Sequence, residues 1–373
     1  MKALIGPVLV AAIAFAAFQI HFNKELADFE VYRQAGLRAV HAEPLYRPED
    51  GHYQFKYLPA FALAMTPNAL VDDGGARTIW YAFSVALLVL LTRWSVRFLP
   101  ERRMGFGLVL ALVIAFMAKF YLHELTLGQV NILFGVLLIA ALGALDVDLA
   151  GVGGVLVGAA VFVKPYGVVL VPWLLLSGGR RALTACLAVI ALGLLLPAAV
   201  YGWSGNVDLL AGWVRTVTDS TAPNLLVSDN ISFAAMWAKW IGPGQIAGLL
   251  AAGSAAGSLA LAAWTWSKRG GIDNPNYLEL AQLLLLVPLI SPQGWDYVLL
   301  LGTPAAALLI DRSQEMTRGW RAIAFIALAV MGLSIFDVMG RALYARFMAT
   351  SIVTLCAVVT AAALARLRHQ KLA

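Results

Sequence analysis

Charged residues and cysteines are scarce in this chain. Only 13% of its 373 residues are charged, against roughly 25% in a typical soluble domain. So little charge cannot cover a water-facing surface, and the composition therefore excludes a soluble enzyme and a disordered chain. Cys186 and Cys356 both lie within apolar runs, which excludes a disulfide-rich secreted protein and predicts buried small side chains with no metal site.

The chain has apolar residues instead, in runs of helical length. Hydrophobic residues make up 61% of the sequence, and the mean hydropathy is +0.79. An outer-membrane β-barrel would need short alternating segments, so these runs favour membrane-spanning helices. The predicted fold is an all-α, polytopic integral membrane protein. In such a protein the net charge of +6 serves topology and contacts with anionic membrane lipids, and we expect no nucleic-acid partner.

The apolar runs predict about twelve transmembrane helices, several of them shorter than the usual 20 residues. They are 3–22, 76–98, 104–121, 126–146, 151–164, 165–177, 182–202, 244–267, 277–291, 295–311, 320–338 and 346–367. The pair 151–164 and 165–177 could also be one helix broken at Lys164-Pro165. The first is interpreted as a retained helix and not a cleaved signal peptide, because no clear cleavage site precedes a polar domain. Pro59 and Pro67 interrupt the stretch 57–71, which is predicted to be an outer-face juxtamembrane or re-entrant helix.

Basic residues near alternate span ends predict the orientation of the chain. The basic loops comprise Arg93, Arg97, Arg102, Arg103, Arg180, Arg181, Lys268, Arg269, Arg312, Arg318 and Arg321, with Lys2 and the tail residues Arg366, Arg368 and Lys371 at the termini. By the positive-inside rule these loops and both termini are cytoplasmic. Residues 1–373 then form a single membrane domain with two long outer segments, 23–75 and 203–243. We expect the chemistry in these outer, polar segments.

Asp28 is the first candidate for chemistry. If 28–40 is helical, Asp28 and Tyr32 share one face, just beyond the outer end of the first span. A partly desolvated carboxylate there could act as a general base, although Asp is also a common helix N-cap. Further along the same segment, Lys56, Tyr57 and neighbouring aromatic residues could form a lid over a sugar or lipid headgroup, or an ordinary interfacial aromatic belt.

Other polar residues interrupt or begin apolar runs. Gln129 and Asn131 are amides at the start of a span, so they should face protein or a wet cavity, and His123 and Glu124 precede them at the interface. Lys164 interrupts a long apolar run, and Pro165 is predicted to break the helix beside it. Lys164 could hold an anion such as a lipid phosphate, or could snorkel to the surface.

Two outer turns complete the candidates. Asn230 lies in the second outer segment, and Gln293, Trp295 and Asp296 follow a later span. Trp295 could stack on a sugar ring while Gln293 and Asp296 bind hydroxyl groups. Each turn is also compatible with an ordinary structural role.

In their order, these motifs resemble one known family. They are Asp28 to Tyr32, Pro44-Leu45-Tyr46, Tyr57-Leu58-Pro59, Gly128-Gln129-Val130-Asn131, Lys164-Pro165, Asn230-Ile231-Ser232 and Ser291-Pro292-Gln293-Gly294-Trp295. The series resembles the GT-C superfamily of membrane glycosyltransferases, specifically the polyprenyl-phosphate-mannose-dependent α-mannosyltransferases, a family that also includes arabinofuranosyltransferases. Members often carry His just after the last motif, whereas this chain has Asp296 and Tyr297 there.

The resemblance implies an inverting glycosyltransferase of a bacterial cytoplasmic membrane, with its active site facing outward. Asp28 would be the general base, and Lys164, Arg33 and Lys56 would bind the phosphate of a polyprenyl-phosphate sugar, most simply mannose. The residues expected to bind the sugar or the glycan or glycolipid acceptor are Tyr32, Tyr57, His123, Glu124, Gln129, Asn131, Asn230, Gln293, Trp295 and Asp296. No cofactor and no metal is expected.

Two other classes fit the composition. A multi-pass transporter or lipid flippase would explain the number of spans and the intramembrane Lys164. Transporters usually show two similar halves with polar breaks near the membrane midplane, and no such repeat is visible here. A non-catalytic subunit of a cell-envelope complex is the third possibility.

Overall fold

A computed structural model describes residues 26–270 and 272–370. The protein is 79% helix and no strand forms between residue 26 and residue 370, which confirms the all-α prediction. The predicted span 3–22, together with Lys2 and Lys371, lies outside the described residues.

The helices follow one another through short connections. In chain order they are α1 (Ala27–Val40), α2 (Pro59–Ala64), α3 (Thr66–Ala69), α4 (Asp73–Arg97), α5 (Phe106–Leu127), α6 (Asn131–Asp146), α7 (Ala150–Val163), α8 (Val171–Leu195), α9 (Ala198–Asp219), α10 (Thr221–Asn224), α11 (Phe233–Ile241), α12 (Gln245–Trp266), α13 (Asn276–Ile290), α14 (Thr303–Asp311), α15 (Arg318–Leu333), α16 (Phe336–Met339), α17 (Arg341–Ala349) and α18 (Ile352–His369). Short 3₁₀ helices occupy Pro48–Tyr53, Pro165–Leu170 and Asp296–Gly302.

Within the described part of the chain, five helices are long and apolar enough to cross a membrane. They are α4, α5, α12, α18 and the run Pro165–Leu195, which contains α8. The apolar helices α6, α7 and α13 are shorter. These spans identify a membrane protein, but they do not confirm the predicted number of twelve.

Two helix boundaries lie at glycines, at positions that differ from those predicted from hydropathy. The spans predicted at 104–121 and 126–146 meet at Gly128, because α5 continues to Leu127 and ends there with Gly128 in the left-handed region, at φ 68°. A Cβ on Gly128 would lie 2.9 Å from the Cβ of Phe29, so α1 packs directly on this turn. The spans predicted at 165–177 and 182–202 are divided by Gly179, which is also left-handed, at φ 65°.

The stretch 57–71 is not a long helix. It forms the short helices α2 and α3, each with a proline in its first turn, as the interrupting prolines predict. The predicted helix 28–40 is observed as α1, which begins one residue earlier.

The ends of the helices separate the polar cavity described below from the basic loops. Helices α5, α7 and α13 end, and α6 begins, near the cavity. At the opposite end of α5, Asp311 accepts hydrogen bonds from the backbone N–H groups of Arg103 and Met104, and Arg312 donates to the carbonyl of Pro100 at 2.7 Å. The basic loops around Arg103 and Arg312 therefore lie together at the end of α5 away from the cavity.

One residue of the basic tail has a structural role instead. Arg368 is 1% exposed and lies 3.4 Å from the carboxylate of Glu279, while it donates to the carbonyl of Pro275 at 2.7 Å. The ion pair joins α18 to α13, and Arg269 lies 3.6 Å from the same carboxylate.

Candidate functional site

A cavity of about 590 Å³ opens at one end of the helical bundle. Its wall comes from α1, the 52–57 segment, the end of α5, the Lys164 turn, α9 and the loops around 229 and 295. Nine residues predicted from sequence line it: Asp28, Tyr32, Lys56, Tyr57, His123, Gln129, Lys164, Gln293 and Trp295. The fold therefore brings together residues from motifs that are far apart in the sequence.

Helix α1 is anchored so that Asp28 faces the cavity. The N-cap is Leu26, which adopts a left-handed conformation at φ 57° and donates its N–H to the carbonyl of Thr126 at 2.8 Å. Phe29 stacks on Trp80 with ring centroids 5.0 Å apart, and the indole of Trp80 donates to the carbonyl of Gly128 at 2.8 Å. Asp28 is thus not the helix cap, and its carboxylate is available to the cavity.

The environment of Asp28 has opposing effects on its pKa. Burial raises the pKa of the carboxyl above its ordinary value, and this is the largest effect. A hydrogen bond from Gln129 and the positive charges of Lys164 and Lys56 partly oppose it. A carboxylate with a raised pKa beside cations is suited to accept a proton near neutral pH.

Gln129 is the centre of the hydrogen-bond network at the cavity floor. Its side-chain oxygen accepts from Tyr32 at 2.9 Å, from Tyr57 at 3.3 Å and from Lys164 at 3.4 Å. Its amide nitrogen donates to the hydroxyl of Tyr297 at 3.2 Å. A buried amide satisfied at both ends holds the surrounding groups in one arrangement.

The side chain of Lys164 extends into the cavity and does not snorkel to the membrane surface. Its Nζ donates to the hydroxyl of Tyr57 at 2.9 Å and lies 4.7 Å from the centre of the same ring. The backbone at Lys164 is extended, because Pro165 follows it and disfavours helix at the preceding residue. This break between α7 and the next 3₁₀ helix turns the ammonium group into the polar space.

Glu124 and Asn131 lie behind the cavity and are absent from its lining. Glu124 is 1% exposed and accepts from the side chain of Asn131 at 2.9 Å and from the backbone N–H of Ile132 at 3.0 Å. Asn131 in turn accepts from Tyr166, a cavity residue, at 3.0 Å. Glu124 thus holds the first turn of α6 through the N–H of Ile132, and Asn131 connects Glu124 to Tyr166. The sequence had predicted both residues as sugar or acceptor ligands.

The Asn230 and Trp295 motifs form one unit through the backbone. The N–H of Ile231 donates to the carbonyl of Gly294 at 2.7 Å, and that of Asp296 donates to Asp229 at 2.9 Å. Asn230 is fully buried and donates to the carbonyl of Pro292 at 2.9 Å. Asn230 therefore positions the turn that presents Trp295, and its side chain does not line the cavity.

Gln293 lines the cavity beside the second outer segment. Its amide donates to the hydroxyls of Ser220 at 3.0 Å and Thr221 at 3.2 Å. These bonds attach the Trp295 turn to Ser220 and Thr221, directly after α9.

We expect Gly294→Ala to disrupt this turn. A Cβ at Gly294 would lie 1.7 Å from the carbonyl oxygen of Pro288, so the backbone must move and break the contact with Ile231. The cost should be about 2–3 kcal/mol, typical of overpacking at a rigid backbone site. A thermal unfolding scan of the purified protein would measure it as a lowered Tm.

Gly248→Ala is the matched control for that variant. Gly248 lies within α12 with no atom within 4 Å of an added Cβ, so alanine should leave the Tm unchanged or raise it slightly. Equal Tm values for the Gly294→Ala variant and the unmodified protein would show that the turn is not rigid.

Asp296 is fully buried within a charged cluster beside the cavity. Its carboxylate lies 3.0 Å from Nζ of Lys119 and 3.3 Å from Nδ1 of His123, and it accepts from the hydroxyl of Tyr344 at 3.3 Å. His123 itself lines the cavity. Asp296 is therefore placed to orient His123, and it is absent from the cavity lining.

The sequence did not indicate Lys119 or Tyr344 as part of this cluster, and it gave no role to Asp229. Lys119 and His123 are one helical turn apart on α5, and this spacing was the available signal. Asp229 lines the cavity, and burial raises the pKa of its carboxyl, with the charge of Asp296 adding to the effect. Nothing in the local sequence indicates that α5, the 229 loop and α17 would meet.

The two remaining predicted phosphate ligands differ in their placement. Lys56 lines the cavity near Asp28, and burial lowers the pKa of its ammonium group while Asp28 opposes that shift. Arg33 lies on another face of α1, where it donates to the carbonyl of Val71 at 3.2 Å and lies 3.8 Å from both Glu30 and Asp73. Arg33 is thus not part of the cavity, because helical rotation turns it away from Asp28 and Tyr32.

Comparison with known proteins gives one family. The model of glycosyltransferase family 87 matches residues 55–292, which is more than half of the chain and includes Lys56, Gln129, Lys164 and Asn230. Asp28 and Trp295 lie outside the matched range. No curated protein and no solved structure matches the chain significantly.

Proposed function

Because the chain belongs to glycosyltransferase family 87 and is thus a membrane glycosyltransferase of the GT-C type, we propose that it transfers a sugar from a polyprenyl-phosphate donor with inversion. The sugar proposed first is mannose, and the acceptor is a glycan or glycolipid. The proposed location is the outer face of a bacterial cytoplasmic membrane. The donor, the sugar and the orientation are all part of this proposal.

One observation supports this proposal most strongly. The carboxylate of Asp28 shares a single cavity with Lys164, Lys56 and His123. Transfer of a sugar from a phosphate needs a base for the nucleophile and positive groups for the leaving phosphate, and both line this cavity. The basic loops at the other end of the bundle support an outward-facing cavity.

The proposed reaction is a single displacement. Asp28 removes the proton of an acceptor hydroxyl, and that oxygen forms a bond with the anomeric carbon of the donor sugar. The bond between this carbon and the phosphate oxygen breaks, and its electron pair leaves with polyprenyl phosphate. Attack from the face opposite to the leaving group inverts the anomeric configuration.

Lys164, Lys56 and His123 would hold the leaving phosphate. Lys164 is oriented by Tyr57 and Gln129, so its charge is already placed before the donor binds. His123 is held at Nδ1 by Asp296, which leaves its Nε2 edge for a ligand. His123 would thus take the place of the histidine that this chain lacks after Trp295.

The neutral side chains of the cavity would recognise the sugar and the acceptor. Trp295 offers an aromatic face for a sugar ring, and Gln293 and Tyr57 offer hydrogen-bonding groups for hydroxyls. Tyr32 and Gln129 would hold Asp28 and Lys164 in their relative positions. Glu124, Asn131, Asn230 and Asp296 support these groups from behind.

The test is a transfer assay with purified protein in lipid nanodiscs. Polyprenyl-phosphate mannose and polyprenyl-phosphate arabinofuranose would each be supplied with a panel of glycan acceptors, and release of polyprenyl phosphate would be followed. We expect acceptor-dependent release with mannose and a product of inverted anomeric configuration. Binding of a solute without release from either donor would favour transport and contradict the proposal.

The raised pKa of Asp28 predicts the pH dependence of transfer. The base must be deprotonated to act, so activity should fall as the pH drops through its pKa. Because burial raises that pKa, the acid limb should lie above the ordinary aspartate value of roughly 3.9. The pH profile of kcat/KM would measure it, and a limb at or below that value would contradict the assigned base.

A further inference from the structure

A second cavity of about 380 Å³ adjoins the first along α1. Val31 and Tyr53 line both cavities, so the two spaces share a wall. Ala27, which directly precedes Asp28, also lines the second one. We name this second cavity the α1 groove.

One side of the α1 groove is apolar. Ala27, Val31 and Phe55 contribute to it, and Phe55 is only 1% exposed. Tyr53 stands at its edge with 57% of its surface exposed, so the ring is available to a ligand. An apolar surface beside an open aromatic ring suits the C–H face of a sugar.

The other side of the groove is polar and already ordered. The amide of Gln34 donates to Glu30 at 2.8 Å, and Arg38 donates to Asp50 at 2.9 Å. Arg77 lies 3.4 Å from Glu30 and also contacts Asp73 on its own helix. Carboxylates have more acceptor positions than these contacts use, so they can also accept from sugar hydroxyls.

The charges of the groove balance. Arg38 and Arg77 face Glu30 and Asp50, so the lining has no net charge. Phosphate binding would need an excess of positive charge, as in the first cavity with its lysines. The groove therefore matches an uncharged, hydroxylated ligand.

We propose that the α1 groove binds the sugar unit of the acceptor that follows the one attacked at Asp28. The proposal rests on the proposed function, because it takes Asp28 as the group that contacts the acceptor hydroxyl. The acceptor must approach the anomeric carbon opposite to the leaving phosphate. The groove begins beside Asp28 and carries no net positive charge, so it belongs to the acceptor and not to the donor phosphate.

Binding of two soluble probes tests this subsite. Methyl α-mannoside has one ring, and methyl α-mannobioside has a second ring that can reach the groove. We expect the unmodified protein in nanodiscs to bind the disaccharide roughly tenfold more tightly, as one additional stacked and hydrogen-bonded ring can provide. Saturation-transfer NMR should show contacts to the protons of the second ring.

Two exposed residues of the groove provide the variants. Gln34→Ala and Tyr53→Ala should each reduce the affinity for the disaccharide toward that for the monosaccharide. Gln34 lines only the α1 groove, so its variant should have little effect on the monosaccharide, whereas Tyr53 lines both cavities and its variant should also weaken monosaccharide binding. Both side chains are exposed, so neither change should affect folding. His41→Ala, also exposed near the end of α1 but outside both cavities, is the matched control and should keep the tenfold preference.

The outcomes separate this proposal from the proposed function. If the two probes bind the unmodified protein equally, or if the groove variants keep the preference, the α1 groove is not an acceptor subsite. If the preference is present and is lost in the variants while no donor supports transfer, the groove is retained and the proposed reaction fails. Asp28→Asn protein should keep the preference, because it removes the base and leaves the groove intact.

Discussion

Asp28→Asn is expected to abolish sugar transfer while the protein remains folded in the membrane. General-base catalysis contributes roughly 10²–10⁴-fold to rate, so the kcat of the variant should fall by about 10³-fold or more. Asparagine has nearly the same shape as aspartate but cannot accept the proton of the acceptor hydroxyl. The measurement is the release of polyprenyl phosphate at saturating donor and acceptor.

Structural damage should be small in this variant. Asp28 does not cap α1, and that helix is anchored by Leu26, Phe29 and Trp80. The asparagine side chain can still accept a hydrogen bond from Gln129. Because asparagine is neutral, the variant avoids the cost of burying a negative charge at this position. The Tm should therefore be equal to or above that of the unmodified protein.

Glu49→Gln is the control for the loss of a carboxylate in the same outer segment. Glu49 is exposed, lies in the 3₁₀ helix Pro48–Tyr53 and lines neither cavity. The Glu49→Gln variant should transfer sugar at the same rate as the unmodified protein. Near-normal transfer by Asp28→Asn would remove Asp28 as the base and leave Asp229 as the next carboxylate to test.

Lys164→Met is expected to have the second-largest effect. The methionine keeps most of the apolar volume and removes the charge that would stabilise the leaving phosphate. Loss of one preorganised electrostatic contact costs roughly 10²–10³-fold in kcat. The same transfer assay measures it, and Lys164→Arg should recover part of the loss because it restores a positive charge.

The pH profile of the Lys164→Met variant provides an independent readout. The positive charge of Lys164 lowers the pKa of Asp28, so its removal should raise that pKa further. Because the deprotonated carboxylate is the active form, the acid limb of kcat/KM should move to higher pH. A purely structural role of Lys164 would lower activity without moving this limb.

Lys268→Met is the matched control for this change. Lys268 is exposed and follows α12 in a basic loop at the other end of the bundle. Its variant should keep both the rate and the pH profile of the unmodified protein. A Lys164→Met variant with the same rate as this control would show that Lys164 does not contact the leaving group.

The local patterns of the sequence predicted several residues that line the cavity. The spacing of Asp28 and Tyr32 predicted one helical face, and both residues line the cavity. The Lys164–Pro165 pair predicted a break in an apolar run, and the extended backbone at Lys164 forms it. These predictions succeeded because helical periodicity and the proline restriction act between neighbouring residues.

The roles of several polar residues were assigned differently by the structure. Glu124, Asn131 and Asn230 were predicted to bind sugar or acceptor, yet their polar groups are used by α6 and by the Trp295 turn. Arg33 was predicted to bind phosphate and instead contacts Val71, Glu30 and Asp73. A sequence does not tell whether a buried polar group will meet a ligand or the backbone, since either partner satisfies it.

By itself, the sequence determined that this protein is an all-helical membrane protein. Apolar runs of membrane length and the scarcity of charge are properties of composition and of adjacent residues, and no tertiary contact is needed to read them. Only the tertiary structure decided which polar residues share a space. His123 contacts Asp296, Asp28 is hydrogen-bonded by Gln129, and the positive charge of Lys164 acts on Asp28. These groups, and the α1 groove beside Asp28, are brought together because distant segments pack against one another. Each of these buried polar groups needs a hydrogen-bond or charge partner, and the packing of the helices determines which partner it has.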